Sequence, residues 1–246
     1  MRRRKFELLI ADIRRHLLSP PTHERYENLS QSSWDLRNFN DQVASDVGKA
    51  RELIAVAHTA RLAAGPGCAV AEEALLRCLE KVVSDCGKQI VGEDLAPLPN
   101  RQALADVEAD QRPFAEVVGE VADYALDCLH FQPRPRDAFA GARRGLAFNI
   151  LGQVSQICEL PIAMDRACEA LRLVRPKEVH GAINFLHDFF DARPDEPLSD
   201  DLAEALLHVV EKTKSRSTAV GALHLLVKTL VISEWEASDR IREWKG

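Results

Sequence analysis

The stretch Gly141-Ala142-Arg143-Arg144-Gly145-Leu146 returns forty residues on as Gly181-Ala182-Ile183-Asn184-Phe185-Leu186, and again as Gly221-Ala222-Leu223-His224-Leu225-Leu226. Leu146, Leu186 and Leu226 share one register, and Ile150, Phe190 and Leu230 share another. Each copy lies where apolar residues recur at helical spacing. Glycine inside a helix costs about 1 kcal/mol relative to alanine. Its return at the same place therefore points to packing, a small pair that lets a neighbouring helix come close. A second echo joins Asp165–Leu171 to Asp201–Leu207, and a third joins Glu73–Lys81 to Glu204–Lys212.

Outward from these repeats the whole chain reads as helix. Ala and Leu dominate, whereas Tyr occurs only twice, a balance that favours helix over strand. The periodicity predicts helices over 3–18, 23–33, 40–64, 68–91, 100–109, 113–131, 136–157, 161–174, 176–191, 199–213, 217–232 and 234–244. Ser19-Pro20-Pro21 closes the first, and Gly65-Pro66-Gly67 parts two long ones. Pro161 and Pro176 suit a first helical turn, and Ser233-Glu234-Trp235-Glu236 has capping-box spacing. Trp235 and Trp244 are expected to cap the end of the core. Residues 1–246 are expected to form one all-helical domain with a possible sub-boundary at 93–100, where Pro97 and Pro99 interrupt the pattern. The more clearly repetitive half is 100–246.

Two helices per unit of about 40 residues is the period of HEAT and armadillo arrays. Region 136–246 resembles such an α-solenoid, although it lacks the proline and the Asp and Arg pair typical of HEAT units. The resemblance implies an all-α stack of antiparallel helix pairs, right-handed; the alternative is an irregular helical bundle. Deleting 217–246 is then expected to cause aggregation, because terminal units shield a continuous core.

In such a stack one ridge of the Gly-Ala helices faces outward, through Ala140, Arg144 and Phe148, then His180, Asn184 and Asp188, then Val220, His224 and Lys228. With His187 on the same face, the candidate partner-binding patch is Arg144, His180, Asn184, His187, Asp188, His224 and Lys228. Its mixed charge suits a protein or peptide surface. The three histidines would add positive charge near pH 6, tightening the grip on an acidic partner.

Other chemistries find less support. His180 and His187 lie two turns apart, roughly 10 Å, too far to share one metal ion, so neither a metal nor a cofactor is expected. His187-Asp188-Phe189-Phe190-Asp191 is similar to the aspartate-rich motif of helical prenyl-chain enzymes, but His187 replaces the first acid and no second metal-binding segment follows. No phosphate loop, nucleophile elbow or dinucleotide fingerprint occurs. A helical-repeat DNA glycosylase would need a basic groove. Arg143, Arg144, Lys177 and Lys228 are available for one, yet the chain carries a net charge of −6. The expectation is a non-enzymatic binding or scaffold module, with a helical-repeat enzyme or nucleic-acid-processing protein as the rival. Neither nucleic acid nor a membrane span is expected, since no apolar run approaches the roughly 18 residues a span needs. Six cysteines without a C-x-x-C pair suit free thiols in a reducing cytoplasm. The basic start Met1–Lys5 is followed by Glu7, Asp12, Arg14 and Arg15, which argues for an amphipathic first helix rather than a secretion signal.

Overall fold

A computed structural model describes residues 2–37, 46–63, 67–92, 97–130 and 139–244. They form eleven α-helices and no strand: α1 Arg2–Leu18, α2 His23–Arg37, α3 Val47–Leu62, α4 Cys68–Ile90, α5 Arg112–His130, α6 Ala140–Ser155, α7 Pro161–Leu173, α8 Glu178–Ala192, α9 Asp200–Lys212, α10 Arg216–Lys228 and α11 Glu234–Glu243. The class is all-α. Among the described residues no helix is long and apolar enough to cross a membrane.

Local chemistry sets several boundaries. Side chains that accept from the first free backbone N–H groups cap α3 (Asp46), α9 (Ser199), α10 (Ser215) and α11 (Ser233). Pro161 opens α7, where its missing N–H costs nothing. Pro176 instead precedes α8, whose cap is Lys177 in a positive-φ conformation (φ 67°). Gly67 begins α4 at φ 85°; Gly65 and Pro66 lie outside the described residues, as do 93–96 of the expected boundary, 40–45, 131 and 136–138.

Several expected helices are bounded differently: α2 runs on to Arg37, past the expected end at 33, α3 begins at Val47 behind its Asp46 cap and not at 40, and two further differences change the local fold. In place of a helix over 100–109 there is one 3-10 turn, Arg101–Ala105, capped by the Asn100 side chain. Only Leu104 of this turn is buried, too little apolar surface to hold a longer helix. The loop is fixed from outside, by the Leu98 N–H donating to the Ile157 carbonyl (2.7 Å) and by Arg101 donating to the Gly119 carbonyl of α5 (3.1 Å).

The second difference is α10, which stops at Lys228 and not at 232. The Val231 N–H reaches back to the Leu226 carbonyl (2.9 Å) and the Leu230 N–H to Val227 (3.0 Å). This is the Schellman closure, with Leu230 at the left-handed position (φ 61°) that glycine usually fills. Leu230 is 90 % exposed, so its side chain gains nothing there. Leu230→Gly should therefore stabilise the chain by about 1 kcal/mol, the cost of a left-handed L-residue. An unchanged or lowered melting temperature would refute this reading of the turn. Beyond it, Trp235 is 73 % exposed and Trp244 half-buried, so the two tryptophans do not close the core as expected; Ala237 is the buried residue of α11.

Each helix from α1 to α10 packs against a sequence neighbour, and elements two apart also meet: α2 on α4, α4 on α6, α6 on α8, α8 on α10, with α1 on α3, α3 on α5 and α7 on α9. Contacts between the even helices advance together along the chain. Glu72 meets Arg143, Glu80 meets Asn149, and a Cβ on Gly87 would meet Ile157. Across the next interface Gly145 meets Gly181, Asn149 meets Asn184, and Gly152 meets Asp188. Thus α4, α6 and α8 run parallel to one another. The buried apolar residues form one continuous cluster from Phe6 to Ala237, to which α4 contributes heavily.

The Gly-Ala pairs serve different contacts. A Cβ on Gly181 would lie 2.4 Å from the Gly145 carbonyl oxygen and 2.5 Å from its Cα, so α6 and α8 touch backbone to backbone. A Cβ on Gly141 would stand 3.0 Å from the Pro176 carbonyl, and one on Gly221 3.0 Å from Ile183 Cγ2. Only Gly181 rests directly on another helix's backbone.

A buried ionic cluster ties four helices. Glu72 of α4 accepts from Arg61 of α3 (3.1 Å), from Arg143 of α6 (2.9 Å) and from the Tyr124 hydroxyl of α5 (3.0 Å). Arg61 lies over the Tyr124 ring, 3.8 Å from its centroid, and donates to the Tyr124 carbonyl and to Cys128 Sγ. Arg143, expected in a basic groove, is thus buried against Glu72. All six cysteines are free; Cys68, Cys86, Cys128 and Cys158 are buried, Cys78 and Cys168 half-buried. Burial pushes the Cys78 and Cys128 thiols up to about 12, so they stay protonated and poorly nucleophilic.

Candidate functional site

The expected ridge does not stand uniformly in solvent. Phe148 is 1 % exposed, beside Phe185 in the core. Arg144 is largely covered: its guanidinium donates to Glu178 of α8 (3.3 Å), itself buried in the first turn. The remaining residues separate into two groups at opposite ends of α8.

Near its C-terminal end lie His187, Asp188, His224 and Lys228. The His187 and His224 rings are 6.2 Å apart. His187 Nε2 meets the Gly221 carbonyl at 3.2 Å. Burial holds this imidazole below the ordinary histidine range, outweighing the Gly221 carbonyl and Asp191, which favour its charge. Burial therefore works against the charge that the sequence reading expected His187 to gain near pH 6. Lys228 is engaged with Asp191. Among the described residues no cluster of His, Cys, Asp and Glu is placed to hold a metal ion.

Asp188 accepts from Gln153 of α6 (3.5 Å) and from Gln156 just past its end (3.3 Å) and sits against Gly152, where a Cβ would come within 2.4 Å of its Oδ2. Burial first, then the charge of Asp191, pushes its carboxyl up to about 6. A carboxyl raised above its unfolded value contributes stability below that value and loses the contribution as pH rises through about 6. Wild type should therefore lose stability relative to Asp188→Asn between pH 4 and 7, by about 1–3 kcal/mol. Melting curves of the two proteins at several pH values check this; a gap that is the same at every pH would refute it.

Near the N-terminal end of α8 the other group, His180 and Asn184, lines a cleft of about 830 Å³. Its floor holds Gly145, Gly181 and the Asn149–Asn184 pair, in which Asn184 Nδ2 donates to Asn149 Oδ1 at 3.2 Å. The α7–α8 turn forms one wall through Val174, Pro176 and Lys177. The α9–α10 turn forms the other through Lys212, Thr213, Lys214 and Ser215, with Ser217 and Thr218 beyond. Glu73 and Arg77 of α4 close the far side, paired with each other at 3.2 Å.

The cleft follows from the packing below it. Because Gly145 and Gly181 have no side chains, the floor is deep and the α7–α8 turn drops onto α6: a Cβ on Gly145 would be 2.4 Å from the Lys177 carbonyl. The turn reaches that position through two residues with positive φ, Val174 (47°) and Lys177 (67°). Such backbone in a β-branched residue is uncommon and concentrates at functional sites. Sequence reading reached His180 and Asn184 of this cleft and mentioned Lys177 for a basic groove, but missed Lys212, Lys214, Ser215 and Ser217. These lie at the facing ends of α9 and α10 and in the turn between them, where helical periodicity carries little information; only the clustering of Lys212, Lys214 and Arg216 around a serine cap hinted at them.

The chain matches no protein-family model, no curated protein and no solved structure.

Proposed function

We propose that the chain is a non-enzymatic binding module of the HEAT or armadillo-like α-solenoid type, working in the cytoplasm and gripping a protein or peptide through the cleft on α6, α8 and α10. The single observation that carries this reading is that cleft, whose wall and floor come from successive helix hairpins. Surfaces that several stacked units build together are the ones solenoids use for binding. The packing of every even helix on the next fits a two-layer stack of pairs. The six free thiols fit a reducing compartment.

The cleft's chemistry supports binding over catalysis. Its one carboxylate, Glu73, is paired with Arg77, while the strongly raised carboxyl of Asp188 lies elsewhere, against Gly152. Catalytic sites gather perturbed groups inside the pocket.

A photo-crosslinking residue at His180, exposed and in the cleft, should capture a specific protein from native lysate, and one at exposed Asp165 on α7 should not. The captured protein, once purified, should bind wild type and lose about tenfold or more in affinity for Ser217→Trp, which fills the cleft from an exposed position. Equal binding by a folded Ser217→Trp would reject the cleft.

A further inference from the structure

We infer that the cleft takes an extended acidic peptide segment, whose carboxylates are neutralised by Lys177, Lys212 and Lys214. This rests on the binding reading above and gives its ligand a chemistry. The observation is where unmatched positive charge stands. Most other cations along these helices are already engaged, Arg143 with Glu72, Arg144 with Glu178, Arg193 with Glu159 and Lys228 with Asp191, whereas Arg216 at the start of α10 is exposed close in sequence to Lys214. Lys177, Lys212 and Lys214 are exposed and make no ion pair with any described residue. All three line one cleft, whose only carboxylate is paired, in a chain of net charge −6. Clefts lined by one sign of charge concentrate ligands of the other sign.

The kind of cation narrows the ligand. Lysine is a mobile point charge, where arginine offers a planar fork. Three lysines on two turns therefore recognise several carboxylates without demanding one geometry, as a run of Asp and Glu presents them. Between them the floor suits a peptide backbone. Asn184 donates to Asn149, and its Oδ1 has no partner among the described residues, leaving an acceptor for a peptide N–H. The positive charge does not continue as a stripe along α6, because Arg143 is buried and Arg144 largely covered in ion pairs. A polynucleotide backbone would need that continuation.

The test uses the full chain and three fluorescent probes: a repeating Glu-Ser peptide, its Gln-Ser counterpart and a single-stranded oligonucleotide. Wild type should bind the Glu-Ser peptide and not Gln-Ser, and binding should weaken as salt is raised from about 0.05 to 0.3 M. The combined variant Lys177→Gln, Lys212→Gln, Lys214→Gln should bind at least about tenfold more weakly. The triple change to arginine should keep binding, with melting temperatures unchanged because all three sites are exposed. No binding of the Glu-Ser peptide, or equal binding by the glutamine variant, overturns the inference. Tighter binding of the oligonucleotide, lost in the same variant, overturns it in favour of nucleic acid. A protein captured at His180 that loses affinity for Ser217→Trp but ignores salt and the glutamine variant would leave the binding reading standing and remove the acidic ligand alone.

Discussion

Glu72→Met should lower the stability of the chain by about 3–5 kcal/mol, because it takes from two buried guanidinium groups the carboxylate they share. Glu72 is 4 % exposed, and Arg61 and Arg143 are 8 % exposed. Water cannot replace the lost carboxylate there. The Tyr124 hydroxyl keeps the Ala57 carbonyl as acceptor at 3.1 Å, so the loss falls mainly on the arginines. A global stability of 5–15 kcal/mol is usual for a domain, so the variant sits near the edge of folding. The triple change Glu72→Met, Arg61→Met, Arg143→Met should recover much of the loss, since replacing a whole buried ionic cluster by apolar groups is often neutral or favourable. Urea unfolding of the three proteins decides it. A single variant as stable as wild type would show that the cluster is hydrated and that α3, α4, α5 and α6 are not joined through it.

The second large effect is a reversal of sign. In an ordinary helix Gly→Ala stabilises by about 1 kcal/mol. Gly119 of α5 is such a place: a Cβ there would meet only Arg101 Nη2, at 3.7 Å. Gly119→Ala should raise stability. Gly181→Ala should lower it by about 1–3 kcal/mol, and Gly181→Leu by more, through overpacking. The obstructing atoms are Gly145 O, Cα and C, at 2.4, 2.5 and 2.8 Å. They are backbone, so α6 and α8 must separate. If Gly181→Ala proved as stable as Gly119→Ala, the two helices would not touch as described.

These sites also show how far the sequence could be read. Helix positions followed from apolar spacing, and Gly181 from its recurrence, because both are local or periodic signals. The contact of Gly181 with Gly145 was not legible: the repeat aligns Gly181 with Gly141, whereas the packing register sets it one turn further along α6. The same shift explains the ridge. Phe148 and Arg144 were expected outside, but α6 is covered by α4 and α5 as well as by α8, and its polar residues turn inward to buried partners. Glu72 gave no signal at all, since a charged residue in a helical stretch reads as a solvated face until its partners from α3, α5 and α6 are known. Lys212 and Lys214 were hidden for the opposite reason. They belong to the end of α9 and the turn after it, and only the stacking of α9–α10 beside α7–α8 brings them opposite Lys177.

The most direct measurement of the central claim is backbone hydrogen exchange of the full chain with and without saturating Glu-Ser peptide. The account predicts added protection at 174–184 and 212–218, the two walls and the floor of the cleft, and none along α1, α2 or α11. Protection placed elsewhere, or no change at saturation, would contradict it.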